Sequence, residues 1–168
     1  MIHYEQMVDW VNGIFGPDKD IIGCEIGVLE GRMEQILLDA FPRLFMYGID
    51  VLERGFVYPR YEFIWAHSDE ACKRFKNPAS PVTLDFVYID GCHLYEQVKK
   101  DILNYAPLVK EDGFIGGHDY IPDYCEIRGS AGKDDGVKPA VDELFDNGKI
   151  HFGADYTWYI LKKDIKWS

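Results

Sequence analysis

The sequence predicts an α/β fold in which a doubly wound, mostly parallel sheet is covered by helices on both faces. Three observations carry this. Short apolar, β-branched runs alternate along the chain with apolar stripes spaced three and four residues apart, the pattern of buried parallel strands joined by helices. The 168 residues suit one domain, expected here over 1–168, and 47% hydrophobic with 15% aromatic content fills a core at that length. Most of the apolar runs end in a small or polar residue, which is where an open α/β sheet carries its ligands.

The predicted strands span 21–28, 44–51, 61–67, 84–90, 114–118 and 157–163. Helix 3–15 places Met7, Val8, Val11, Ile14 and Phe15 on one side, and helix 31–41 does so with Met33, Ile36, Leu37 and Phe41. A third helix is expected around 69–75, and a fourth over 93–105 buries Leu94, Val98, Ile102 and Tyr105. The fifth, 137–146, follows Gly136 and carries Val137, Val141, Leu144 and Phe145, with Pro139 in the first turn where a missing N–H costs nothing. This reading counts six strands and five helices, with no repeat, linker or low-complexity tract. Residues 121–135, IPDYCEIRGSAGKDD, have turn formers, mixed charge and no period, and form either a substrate-facing lid or a surface excursion. Tyr120 and Tyr124 are its candidate substrate contacts. Trp65, Tyr88, Tyr95, Tyr105 and Trp158 read as core aromatics, and Lys99, Lys100 and Asp101 as a solvated helix face.

Against 18 Lys+Arg stand 29 Asp+Glu, a net charge of −11. Such a chain repels phosphate backbones and anionic headgroups, so neither nucleic acid nor a membrane surface is an expected partner. No apolar run approaches the ~20 residues of a span, and the N-terminus lacks a secretory pattern, which makes the cytoplasm the expected location. Cys24, Cys72, Cys92 and Cys125 are widely spaced without a C-x-x-C, two of them in expected buried strands, and indicate neither a disulfide framework nor a zinc knuckle.

The segment 22–31, IGCEIGVLEG, runs from a strand straight into a helix. Glycines there let a ligand approach the backbone and aim a helix N-terminus at it. A dinucleotide fingerprint would need G-x-G-x-x-G, but Gly27 and Gly31 stand four apart, with Leu29 and Arg32 where the other glycines belong. Glu25, just before the turn, suits a cationic or hydrogen-bond-donating ligand better than a pyrophosphate. The bland alternative is that the glycines serve a tight turn alone. Asp50, at the tip of the second strand, is placed to accept ribose hydroxyls, although a lone strand-end Asp is often a helix cap.

Glu25-x-Gly27-x-x-x-Gly31 followed by Asp50 resembles the nucleotide-binding half of class I S-adenosylmethionine-dependent methyltransferases. The stretch 84–102, with Asp90-Gly-Cys-His93-Leu-Tyr95-Glu96, then 108–120 (LVKEDGFIGGHDY), 136–145 and 157–160, is similar to the small bacterial group of macrocin-type O-methyltransferases. The resemblance implies a Rossmann-like, seven-stranded sheet of order 3-2-1-4-5-7-6, with 157–163 as the antiparallel last strand. It also implies that Glu25, Gly27 and Gly31 cradle the methionine part of S-adenosylmethionine, that Asp50 holds the ribose, and that His67 and Ser68 lie beside the adenine, with Asp90 closing the cofactor site.

Asp90 ends the fourth strand and His118 and Asp119 end the fifth, so in a parallel sheet they converge on one crevice. Two carboxylates and an imidazole there form a candidate site for a divalent ion, Mg or Mn. In related metal-dependent O-methyltransferases the later pair is acidic or amide, and His118 departs from that, favouring manganese, iron or zinc over magnesium. Cys92 stands where some relatives carry an acidic general base. His93 and His118 are the candidate catalytic bases, since methyl transfer to a hydroxyl must also remove a proton. The bland alternatives are that His93 caps the following helix and His118 braces the lid.

The expected function is therefore methyl transfer from S-adenosylmethionine to a small-molecule acceptor, a hydroxyl before others. A metal-dependent hydrolase built on His67, Asp90, His93, His118 and Asp119 explains the histidines but leaves Glu25 and Asp50 idle. A non-catalytic cofactor-binding module is the third reading. The acceptor's identity is not legible, and a homodimer sharing the site stays open.

Overall fold

The structure, a computed structural model, describes residues 3–53, 57–121 and 136–167. Tyr124, Cys125 and the expected lid beyond Ile121 lie outside the described residues. Seven strands form one sheet: β1 (Ile21–Ile26), β2 (Leu44–Asp50), β3 (Tyr61–Trp65), β4 (Leu84–Ile89), β5 (Val109–Gly117), β6 (His151–Phe152) and β7 (Trp158–Leu161). Their order is β3-β2-β1-β4-β5-β7-β6. The first five are parallel, β7 lies antiparallel to β5, and β6 pairs antiparallel with β7. This is the Rossmann-like arrangement expected.

β6 is the strand that the apolar pattern missed, because its two residues are both exposed and carry no buried run. β5 begins at Val109 rather than at 114. Its register against β4 jumps from Leu84–Val109 to Phe86–Phe114, so the polar residues between bulge out and hide the strand's period.

Five helices cover the sheet: α1 (His3–Phe15), α2 (Arg32–Ala40), α3 (Ser68–Phe75), α4 (Tyr95–Tyr105) and α5 (Val137–Leu144). Met7 and Val11 of α1 and Met33, Leu37 and Leu38 of α2 pack on Phe86, Tyr88 and Phe114. On the other face Phe75, Ile102, Tyr105 and Val141 from α3, α4 and α5 pack on Cys24, Val87, Ile115 and Trp158. β4 is buried at all six positions, and from Phe86 to Ile89 its side chains alternate between the two layers as a two-residue period requires.

Four burial assignments need correction, the first being Leu94, which caps α4 and is exposed rather than buried. Trp65 lies on the edge strand β3 and is 63% exposed, its indole N–H donating to Val51 O at 3.0 Å. Tyr95 is only half-buried and hydrogen-bonds Glu143. Asp101, expected in solvent, is 1% exposed, because it shares the buried stripe of α4 with Val98, Ile102 and Tyr105. Among the described cysteines only Cys24 sits in a strand; Cys72 is buried on α3, Cys92 is exposed, and all three are free. No described helix is long and apolar enough to cross a membrane.

One surface residue closes the α2–β2 connection. The Arg60 guanidinium donates to Leu38 O at 2.7 Å, Phe41 O at 2.9 Å and Leu44 O at 2.6 Å. It thereby ties the last turn of α2, through Leu38 O, to the connection and to the first residue of β2. Arg60→Ala should lower stability by about 2 kcal/mol, with a fall in Tm of roughly 4–8 °C. Arg60→Lys should recover only part of that, because an ammonium cannot fork across three carbonyls. Thermal unfolding of the two variants checks both expectations, and equal stability of the two would overturn the second.

Candidate active site

The C-terminal edge of the parallel strands is laced together by backbone hydrogen bonds. Gly27 N donates to Ile49 O (2.8 Å), Asp90 N to Ile26 O (2.8 Å), His118 N to Ile89 O (3.2 Å) and Ala66 N to Asp50 O (3.1 Å). The loops that follow therefore leave the sheet side by side, and a cavity of about 670 Å³ opens between them. Of the expected cofactor residues, Glu25, Gly27, Asp50, His67, Ser68 and Asp90 line it. Gly31 does not: it sits ahead of α2 at φ +74° and closes the turn, its N–H donating to Val28 O at 3.0 Å.

Gly27 has φ +92°, and a Cβ there would stand 2.3 Å from Asp90 O. Leu29, where a dinucleotide fingerprint has glycine, adopts φ +51°. The loop thus keeps a left-handed backbone that its sequence does not announce. Asp50 holds this loop in place. Its Oδ2 accepts from Val28 N at 3.2 Å and Leu29 N at 3.1 Å, and its Oδ1 from Leu52 N at 2.8 Å.

Glu25 is 3% exposed and faces Glu34 of α2, which is fully buried. An Oε2 of each lacks a hydrogen-bond partner. Burial, and then the charge of Glu34, pushes the Glu25 carboxyl well above its ordinary range; burial also raises that of Glu34, to which the Tyr61 hydroxyl donates at 3.4 Å. A buried carboxylate pair, with an oxygen of each left without a hydrogen-bond partner among the described residues, thus abuts the cavity. Glu34 was not anticipated, although its place beside Met33 and Leu37 on the buried face of α2 is a readable signal.

At the far end, His67 is the residue before α3 and its side chain makes no cap. The Ser68 hydroxyl donates to Asp101 Oδ1 at 2.6 Å, and Gln97 Nε2 donates to both, at 3.1 and 2.9 Å. Gln97 and Asp101 line the cavity. Burial raises the Asp101 carboxyl despite those two hydrogen bonds.

The second constellation assembles at the ends of β4 and β5. His93 Nε2 lies 3.2 Å from Asp119 Oδ2 and 3.9 Å from Asp90 Oδ1. His118 Nδ1 lies 3.3 Å from Asp119 Oδ2 and 3.6 Å from Asp90 Oδ1. Burial lifts and these imidazoles lower the Asp90 carboxyl, and the imidazoles win. For His118 burial acts downward, yet the neighbouring carboxylates of Asp119 and Asp90 push it up to about 10; His93 is raised too, first by the Asp90 carboxylate beside it. Asp90, His93 and Asp119 form a compact group able to hold a metal ion, whereas the expected set was Asp90, His118 and Asp119. His93 lines the cavity, next to Cys92; His118 does not. The α4 cap is Leu94, without a side-chain bond, so His93 is not the helix cap of the bland reading. Tyr120 lines a second cavity of about 500 Å³, with its hydroxyl bound to Asp142 at 2.6 Å.

Comparison with known proteins follows the same geometry. A family model described as a methyltransferase domain matches residues 24–120, more than half of the chain. No curated protein matches. The MycE methyltransferase of the mycinamycin pathway, solved with Mg, SAH and mycinamycin VI, is similar at 16% identity and TM-score 0.68, over 90% of this chain and 47% of that one. CalS11, a TDP-rhamnose 3'-O-methyltransferase of calicheamicin biosynthesis, is similar at 14% identity and TM-score 0.66, over 96% and 81%. A caffeoyl-CoA O-methyltransferase-like protein from Staphylococcus aureus gives 13% identity and TM-score 0.71, over 95% and 82%. These likenesses concern the fold, and the chain spans about half the length of MycE.

Proposed function

We propose, for a chain that belongs to the methyltransferase-domain family, that it transfers a methyl group from S-adenosylmethionine to the hydroxyl of a small molecule. The observation that carries this is the acidic cavity under Gly27, where the buried Glu25–Glu34 pair has no cation among its hydrogen-bond partners in the described residues. A ligand with ammonium and sulfonium charge fits that wall. Bound there, the cofactor supplies a methyl on a sulfonium, open to in-line displacement.

The chain's own part is to hold and orient. Glu25 faces the ammonium, the loop fixed by Asp50 carries the ribose, and Ser68, Gln97 and Asp101 offer the polar end for the adenine beside His67. His93, held by Asp90 and Asp119 at the cavity wall, takes the acceptor proton. His118, charged at neutral pH by its two carboxylates, serves to position Asp90 and Asp119 rather than as a base. A divalent ion would instead be held by Asp90, His93 and Asp119 and would itself lower the pKa of an acceptor hydroxyl, with His93 then a ligand and not the base. The whole chain acts as one domain on this reading. Its setting is the cytoplasm, which suits the free state of Cys24, Cys72 and Cys92. The hydrolase alternative gains no support, since it gives the cavity no task.

S-adenosylmethionine or S-adenosylhomocysteine at a hundredfold excess over Kd should add about 2.7 kcal/mol of stability, roughly 5–10 °C in Tm. A midpoint unmoved by both would defeat the reading. Binding without transfer to any hydroxyl acceptor, with transfer to an amine instead, would correct the acceptor class alone.

A further inference from the structure

A second cluster lies beside the first and outside the cofactor cavity, and of the residues expected at the site it contains only His118. It joins three elements: His3 at the start of α1, His118 after β5, and Asp155 in the loop between β6 and β7. One ligand atom from each lies within 4.8 Å of the other two. One edge of the cluster is a hydrogen bond, between His3 Nδ1 and Asp155 Oδ2, and it leaves the third residue out. His118 Nε2 is buried and has no hydrogen-bond partner, and Asp155 Oδ2 stands 3.7 Å from it, too far to accept. Donors about 2.0–2.2 Å from a common ion stand about 3–3.6 Å apart in a tetrahedron, so that separation is close to one a shared ion would set. His3 Nδ1, at 2.9 Å from Asp155 Oδ2, completes the set.

The surroundings match as well. A metal-bound imidazole usually donates its other N–H to a carboxylate, which fixes its tautomer. His118 has that carboxylate, Asp119, 3.3 Å from Nδ1. Asp119 and Asp155 both adopt left-handed backbone, φ +57° and +55°, a conformation non-glycine residues rarely hold. Asp155 also lines the cavity of about 500 Å³, which leaves a direction from which a fourth ligand can approach.

We infer that His3 Nδ1, His118 Nε2 and the Asp155 carboxylate form a binding site for a borderline dication of the zinc class, separate from the Asp90, His93 and Asp119 group. Two imidazoles and one carboxylate suit such an ion better than magnesium or calcium. Binding would take place with loss of the His118 proton, since only a neutral imidazole ligates.

The test uses metal-free, tag-free full-length protein titrated with Zn2+ by calorimetry and with Co2+ by its visible d–d absorption. Wild type should bind Zn2+ at this site, and His3→Ala and Asp155→Asn should each lose one equivalent, or at least ~10-fold in affinity, with loss of the matching Co2+ band. Asp90→Asn should keep that equivalent. Wild type that binds no Zn2+, or His3→Ala and Asp155→Asn variants that melt normally and keep full stoichiometry and affinity, would overturn the assignment, as would loss of the equivalent in Asp90→Asn alone. The Tm rise with S-adenosylhomocysteine is read in the same samples. It reports the cofactor cavity, so failure of that reading and failure of this one are told apart.

Discussion

Gly27→Ala is expected to lower stability by about 3–5 kcal/mol and to abolish the Tm response to S-adenosylhomocysteine. Two costs add. The residue sits at φ +92°, where an L side chain is strained, and the new methyl would stand 2.3 Å from the carbonyl oxygen of Asp90. That neighbour is backbone, itself fixed by the hydrogen bond from Asp90 N to Ile26 O, and it cannot swing aside as a side chain would. Relief therefore requires β1 and β4 to part at their tips, which is where the cavity opens. In Tm the loss amounts to roughly 6–20 °C, read by calorimetry or circular dichroism. A variant that melts within a degree of wild type and still responds to the ligand would mean that the loop is not the rigid cradle the geometry implies.

Glu34→Gln should make the protein more stable than wild type at about pH 8 and not at about pH 4. Both Glu25 and Glu34 start from an ordinary value of 4.5 and are raised in the fold, first by burial. Above that value the unfolded chain has lost protons that the folded chain still holds, so wild-type stability falls as pH rises, by about 1.4 kcal/mol per pH unit for each retained proton. Glutamine removes one of the two acids and can donate to the other. The gain should therefore grow from about pH 5 upward and vanish below about pH 4. Urea titrations of both proteins across that range check the slope, and a gain independent of pH would show that the pair is not the cause. The same variant should reduce the number of protons released on cofactor binding, measured by calorimetry in buffers of different ionisation enthalpy.

Much of the site was legible because strand ends are legible. A run of buried residues that stops at Glu25, Asp50, Asp90 or His118 marks where a side chain must leave the sheet, and parallel strands put all such ends on one edge. Period did the same for the helices, since Met7 and Val11 or Val98 and Ile102 announce a buried face. What stayed hidden had no period or ran against it. β6 is two exposed residues, the start of β5 is a polar bulge, and Trp65 is an apolar residue on an edge strand. Glu34 and Asp101 both stand on buried stripes; Glu34 was passed over and Asp101 was read by its charge as solvated, which misleads when a polar partner waits across the core.

The sequence by itself determined the order of the elements, the parallel sheet and the acids and histidines at its carboxyl edge, because these follow from local period and connection rules. Only the tertiary structure decided which of those groups meet. It paired Glu25 with Glu34, tied Asp50 to the glycine loop, set Ser68 against Asp101, and brought His3 and Asp155 from the two ends of the chain to His118. Such pairings depend on residues far apart in sequence, joined through crossing helices and register, and no local pattern encodes a distance between them.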